Sequence, residues 1–237
     1  MNNAQQKLPP VRQPQPAFRG RAAFTLIELL VVIAIIGVIA GMVLTVMGGV
    51  KKTEYINTAT AELKQIESAL ETYKTQYGAY PPSNQSTPNN PYLSPLYFEL
   101  AGVRLTNSTY VPLDGATNIT AANYKSAFGI DSPVNCAKSG DDGEASKARS
   151  FLTGLSQNRI GDYSPMITGV RLLITSSRGP DQNYQPVGVE NINPFRYEYP
   201  GTNNPNSYDL WVQLSIGGKK YLICNWNGSV QVNNPLP

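Results

Sequence analysis

This 237-residue chain contains no histidine at all. That absence excludes Ser-His-Asp and Cys-His catalysis and every His-ligated zinc arrangement. Cysteine is nearly absent too: Cys136 and Cys224 are the two present, far apart in sequence and without the close spacing of a redox pair. In an oxidising compartment they could close a long loop for about 2–4 kcal/mol, and they read equally well as two buried thiols. Either way their role is structural. No Gly-rich phosphate loop or nucleophile motif stands in the sequence. An enzyme is therefore not indicated. Proline is missing from Phe24 to Ala79, so one uninterrupted helix is possible there.

Excess charge is also scarce. The net charge is +3, from 19 basic and 16 acidic residues, but Lys7, Arg12, Arg19 and Arg21 all lie in the first 23 positions, where no acid occurs. Without those four the balance is 15 against 16, close to neutral. The basicity belongs to the N-terminus and is no nucleic-acid patch.

What the chain does have is a long apolar run, Leu29 to Val50, entered through Phe24-Thr25-Leu26-Ile27-Glu28. About 20 such residues at about 1.5 Å each match a hydrocarbon core of about 30 Å, so the run suffices for one membrane helix. Glu28 is the anomaly, since a carboxylate inside a bilayer costs about 2.5–3.5 kcal/mol on insertion scales and is usually paired. A secretory signal does not fit: its apolar region spans about 7–15 residues and precedes the small-residue cut, whereas Ala22-Ala23 lies ahead of this longer run. Four Lys/Arg before the span favour a cytoplasmic N-terminus, a contrast weakened but not reversed by Lys51 and Lys52 beyond it. The remainder is expected outside the cytoplasmic membrane.

The basic leader, the small residue and the FTLIE opening together resemble a type IV prepilin signal. The resemblance implies cleavage between Ala23 and Phe24 by a membrane peptidase that also methylates the new amine of Phe24. It implies further that Glu28 meets the cationic amine of a neighbouring subunit inside a filament, which would answer the charge problem, because opposite charges attract more strongly in low dielectric. The residue before the cut is usually Gly in that family; here it is Ala23.

Beyond the apolar run the helix is expected to continue. Ala59, Leu63, Ile66, Leu70, Tyr73 and Tyr77 recur at steps of four and three, drawing one apolar stripe, with Glu62, Lys64, Glu67, Glu71 and Lys74 mostly on other faces. A helix from Phe24 to Ala79 would be about 80 Å long. It should end at Gly78-Ala79-Tyr80-Pro81-Pro82, where Gly can take a left-handed cap and proline forbids continuation. Ala69 to Lys74 and Gly78 to Pro81 resemble the helix end of the major pseudopilins of type II secretion.

From Pro82 to about Pro165 the pattern is poor: a turn at Pro88 to Pro91, a short helix within Leu93 to Leu105, and otherwise loop. Asp141-Asp142-Gly143-Glu144 offers oxygens to a hard cation but lacks the alternating ligand spacing of an EF-hand, and reads as a solvated acidic loop. The last third is more regular. Gly169 to Ile174, Phe195 to Tyr199, Tyr208 to Leu214 and Lys220 to Cys224 read as strands, with Gly217-Gly218 as a tight hairpin. Tyr197, Tyr199, Tyr208 and Trp211 are expected to pack a small sheet, in preference to forming a sugar- or DNA-contacting face. Asn193 to Tyr197, Tyr199 to Gly201 and Ser207 to Leu210 resemble the paired-strand region of major pseudopilins, where a following loop carries Asp-rich calcium ligands. Here Trp211 to Lys220 holds no acid and Asp209 alone remains, so calcium is suggested by the family and unmatched by the residues.

The resulting expectation is an α+β, pilin-like chain: leader 1–23, membrane and assembly helix 24–50, amphipathic continuation 51–80, loop-rich insert 81–165 and antiparallel β region 166–237. The resemblance implies a structural subunit of a type II secretion fibre, single-pass in the bacterial inner membrane with its C-terminal domain periplasmic. Its partners would be further copies, other pseudopilins, the prepilin peptidase, the inner-membrane secretion platform and the lipid bilayer. A type IV pilin serving adhesion, motility or DNA uptake, or a membrane-tethered binding module, are the alternatives.

Overall fold

The computed structural model describes residues 24–87, 90–138, 147–152, 154 and 156–233, and for residues 43–50 the backbone alone. The chain divides into two compact units, residues 1–47 and 48–237, and helix α1, Leu26–Tyr77, contributes to both. In the first unit the described apolar side chains, from Phe24 to Met42, are exposed on every face of the helix. The described side chains thus show no single apolar stripe of the kind that faces a core. Among the described residues, no helix is long and apolar enough to cross a membrane.

The second unit forms around the expected stripe. Ala59, Leu63, Ile66, Leu70 and Tyr73 are buried and Tyr77 is half-buried, each on one face of α1. Burying a side chain such as Leu63 or Ile66 is worth about 1.5–3 kcal/mol, which holds this stretch of helix in place better than its local propensity could. The helix stops where expected: Gly78 has φ of 79° and its N–H donates to the Lys74 carbonyl at 2.7 Å. A residue with a Cβ would be strained there.

Residues 81–165 depart from the loop-rich expectation. They carry α2 (Leu96–Ala101), β1 (Val103–Thr106), β2 (Thr109–Pro112), β3 (Ile119–Thr120), α3 (Ala121–Phe128), β4 (Cys136–Lys138) and β5 (Ile160–Asp162). The short helix falls inside the expected window, and all six of its residues are buried. One sheet has the order β3-β2-β1-β4 and is mixed, because β4 runs parallel to β1. The β1–β2 hairpin turns through Asn107 and Ser108, both at positive φ, the conformation that matches strand twist. Strands of two to four residues are too short to display alternation, which hides them in the sequence. The Thr120 side chain caps α3 by accepting from the Asn123 N–H.

The last third follows the reading more closely. β6 (Arg171–Leu173) pairs antiparallel with β5, so the division expected at residue 165 falls between two partners. β7 (Arg196–Glu198), β8 (Asp209–Ile216), β9 (Lys219–Cys224) and the unexpected β10 (Gln231–Val232) form an antiparallel sheet of order β10-β9-β8-β7. Gly217 and Gly218, at φ of 60° and 75°, make the tight hairpin. Leu210, Val212, Leu214, Tyr221 and Ile223 join the helix stripe in the main core. Trp211, Leu222 and Cys224 point to the opposite face, where Trp226 covers them. Tyr197, Tyr208 and Trp211 are buried and Tyr199 is half-buried, as core packing requires.

Candidate assembly site

Phe24 and Thr25 precede the first turn of α1, and Phe24 is 84% exposed. Glu28 folds back on that turn. Its Oε2 accepts from the Thr25 N–H and the Thr25 hydroxyl, each at 2.8 Å, while the Glu28 N–H donates to Thr25 Oγ1 at 3.3 Å. This reciprocal arrangement is a capping box: Thr-x-x-Glu satisfies donors that a helix start leaves open. The acid that looked out of place in an apolar segment therefore has a local function in helix initiation. No hydrogen bond to Oε1 is found among the described residues, and Glu28 is exposed, so one oxygen still faces outward. Ala23 and the basic leader lie outside the described residues.

The other singled-out residues do not converge on this segment. Cys136 sits in β4 and Cys224 ends β9, in different sheets, and no disulfide joins them. Burial pushes the Cys224 thiol above its ordinary value, the mark of an inert core cysteine. Asp209 holds a loop: its carboxylate accepts from the backbone N–H groups of Asn203 and Asn204 and from the Asn203 side chain, at 2.7–3.0 Å. Those protein donors occupy both of its oxygens. Residues 141–144 lie outside the described residues, and among the described ones no cluster of three or more acids or cysteines converges.

Two carboxylates that the sequence reading passed over are buried instead. Glu62, assigned there to a face away from the stripe, is 7% exposed. It accepts from the Thr175 hydroxyl at 2.7 Å, from the Ser176 N–H at 3.2 Å and from the Ser176 hydroxyl. Arg159 lies alongside, its Nε 3.6 Å from Glu62 Oε1 and its Nη2 donating to the Glu62 carbonyl at 3.3 Å, and it donates to Gln65 as well. Position 62 falls three after Ala59 and four before Ile66, on the flank of the stripe, and that spacing was the available signal. Glu99, within the apolar run Leu96 to Ala101, is fully buried, and burial pushes its carboxyl above the ordinary value. Both acids fasten the head to α1.

Residues 18–44 match the prokaryotic N-terminal methylation motif. The same chain is similar to the type II secretion system core protein G of Escherichia coli K12, 40% identical over 76 residues, which are 31% of this chain and 52% of that protein. Core protein G of Pectobacterium carotovorum is 38% identical over 71 residues, 30% of this chain and 45% of its own length. That of Vibrio cholerae is 32% identical over 79 residues, 31% of this chain and 54% of its own length. The chain thus spans about half the length of the curated relatives it matches. No solved structure matches it. The matched residues include Phe24, the Thr25–Glu28 capping box and the part of the helix whose described apolar side chains are exposed.

Proposed function

We propose that this chain is a pseudopilin: a structural subunit of a type II protein secretion system, made as a precursor and assembled through its N-terminal helix. A prepilin peptidase cuts between Ala23 and Phe24 and methylates the new amine. Residues 24–50 hold the subunit in the inner membrane, with the leader inside and the head outside. Released from the bilayer, the same helix packs against those of other subunits, and the growing fibre does mechanical work on exported proteins. It performs no chemistry of its own.

The observation that carries this reading is that the methylation motif coincides with a helix whose described apolar side chains are all exposed in the monomer. A bilayer first and neighbouring helices later would each cover that surface. Glu28 fits both stages: Thr25 occupies one carboxylate oxygen, leaving the other for the cationic amine of an adjacent Phe24. A charge-assisted contact of that kind in a water-poor filament fixes the axial register between subunits. The similarity to core protein G supports secretion over a pilus.

The test is a Glu28→Ala substitution in cells that express the secretion system. Insertion and cleavage should persist while incorporation into the fibre is lost, and mass spectrometry of the native protein should find methylated Phe24 as the first residue. A protein that begins at Met1, or an E28A variant that assembles normally, sinks the proposal.

A further inference from the structure

Five cations from three separate stretches of sequence meet at one end of the head. Lys51 and Lys52 stand on α1 directly after the apolar run; Arg178 follows β6; Lys219 and Lys220 open β9. All five are exposed. The Lys52 Nζ lies 5.6 Å from the centre of the Tyr221 ring, and the Lys220 Nζ lies 5.8 Å from that of Tyr184. Arg178 lines a cavity with Tyr55, Asp181 and Tyr184.

The direction of the hairpin follows from its neighbours. Ile223 and Cys224 line one cavity with Thr60, Leu63 and Lys64, whereas Tyr221, nearer the turn, lies beside Lys52. From residue 224 back to residue 219 the strand thus descends α1 from Lys64 towards Lys52, and the Gly217-Gly218 tip lies at the Lys52 end of that stretch. Asp181 fastens the Arg178 loop to that tip: it accepts from the Ser215 hydroxyl at 2.8 Å and from the N–H groups of Gly217 and Gly218 at 2.9 and 3.0 Å. Its charge is therefore engaged by the hairpin. Glu54 is the other acid on this stretch of α1. Among the described residues none of the five cations is in an ion pair, while Lys64 and Lys125 elsewhere are paired with Glu67 and Asp131.

Uncompensated cations on a pre-positioned rim call for an anionic surface. Lys51 and Lys52 also run against the charge asymmetry that orients the helix, so at this position they work against insertion topology. We propose that these residues form a basic collar that seats the head on anionic phospholipid headgroups of the leaflet from which the helix emerges. The collar sets the height and tilt of the head in the subunit before it enters the fibre, and extraction into the fibre must break those contacts. This rests on the membrane reading above.

The test uses the full chain in vesicles, with lysine acetylation rates read by mass spectrometry and exposed Lys147 as reference. In phosphatidylcholine with about 30% phosphatidylglycerol, Lys219 and Lys220 should react at least about fivefold more slowly than in phosphatidylcholine alone, the effect of holding one cation near such a surface. High salt should remove the difference, as should inorganic phosphate in detergent in place of the lipid, and Lys219→Gln/Lys220→Gln should reduce the protection of Lys51 and Lys52. Equal rates in the two lipids overturn the collar, as does equal protection in both, which would mean that protein covers the lysines. Protease shielding of the 24–50 fragment is scored on the same vesicles. A shielded fragment with unprotected lysines defeats the collar alone, and an unshielded fragment defeats the membrane reading and the collar with it.

Discussion

The Tyr73 hydroxyl donates to Glu99 Oε2 at 2.8 Å, linking the stripe of α1 to α2 where both residues are buried. The Val134 N–H reaches the other oxygen at 3.0 Å and the Asn135 N–H joins Tyr73 on Oε2 at 3.1 Å. Asn135 returns a hydrogen bond to the Glu99 carbonyl at 2.7 Å and accepts from the Tyr77 hydroxyl at the same distance. Three donors from two segments, α1 and the Val134-Asn135 stretch, thus replace the water that a carboxylate loses on burial.

That arrangement sets a pH dependence. Burial raises the Glu99 carboxyl above its ordinary 4.5, and the three donors only partly pull it back. The folded state then holds a proton to higher pH than the unfolded chain does, so stability falls as pH rises from about 4.5 through the raised folded value. Urea unfolding at a series of pH values should show this decline in the native protein and not in Glu99→Gln. Parallel curves for the two proteins would remove the assignment.

Removing the donor alone should also register. Tyr73→Phe keeps the ring in the core but deprives the carboxylate of a hydroxyl, at a cost of about 1.5–3 kcal/mol for a bond to a charged group. The Glu99 carboxyl should rise further, which moves the pH window of the preceding experiment upward. An unshifted window would show that the Tyr73 bond is not made.

Glu62 and Arg159 form the second buried link. Glu62→Ala strands a largely buried guanidinium and should destabilise the head by about 3–5 kcal/mol. Replacing both residues, Glu62→Ala with Arg159→Met, should cost clearly less than the sum of the single changes, because no charge is then left unpaired. Additive losses in chemical unfolding would argue against coupling.

The two halves of α1 should respond in opposite ways to one kind of change. Leu70 is fully buried, whereas Leu30 is 54% exposed. Leu70→Ala should lower head stability by about 2–5 kcal/mol through the lost burial and the cavity left behind. Leu30→Ala should leave the unfolding of the head unchanged and reduce incorporation into the fibre. An assembly defect from Leu70→Ala at temperatures where the head stays folded would contradict this division of labour.

The capping box separates initiation of the helix from assembly. Thr25→Ala should cost the start of α1 about 0.5–2 kcal/mol, because the hydroxyl that caps the Glu28 N–H and donates to its Oε2 is lost while the residue 25 N–H remains. Amide exchange in detergent should rise at Leu26 to Leu29 and stay unchanged beyond Leu63. Unaltered exchange at the first turn would show that the box contributes nothing there.

The sequence by itself determined the elements whose period runs long enough to be counted. The apolar run after Glu28, the stripe from Ala59 to Tyr73, the stop at Gly78 and the hairpin at Gly217-Gly218 were each legible, because each follows from local backbone preference or from repeated spacing. Tertiary structure alone decided the rest. Whether Glu62 faces water or Arg159, and whether Glu99 sits in an apolar helix as a fault or as a fastener, depends on donors more than 25 residues away, Thr175 and Asn135 among them. The mixed sheet between α2 and β4 was hidden for a related reason: its strands span two to four residues, too few to repeat, and their partners are fixed only once the core has closed around them.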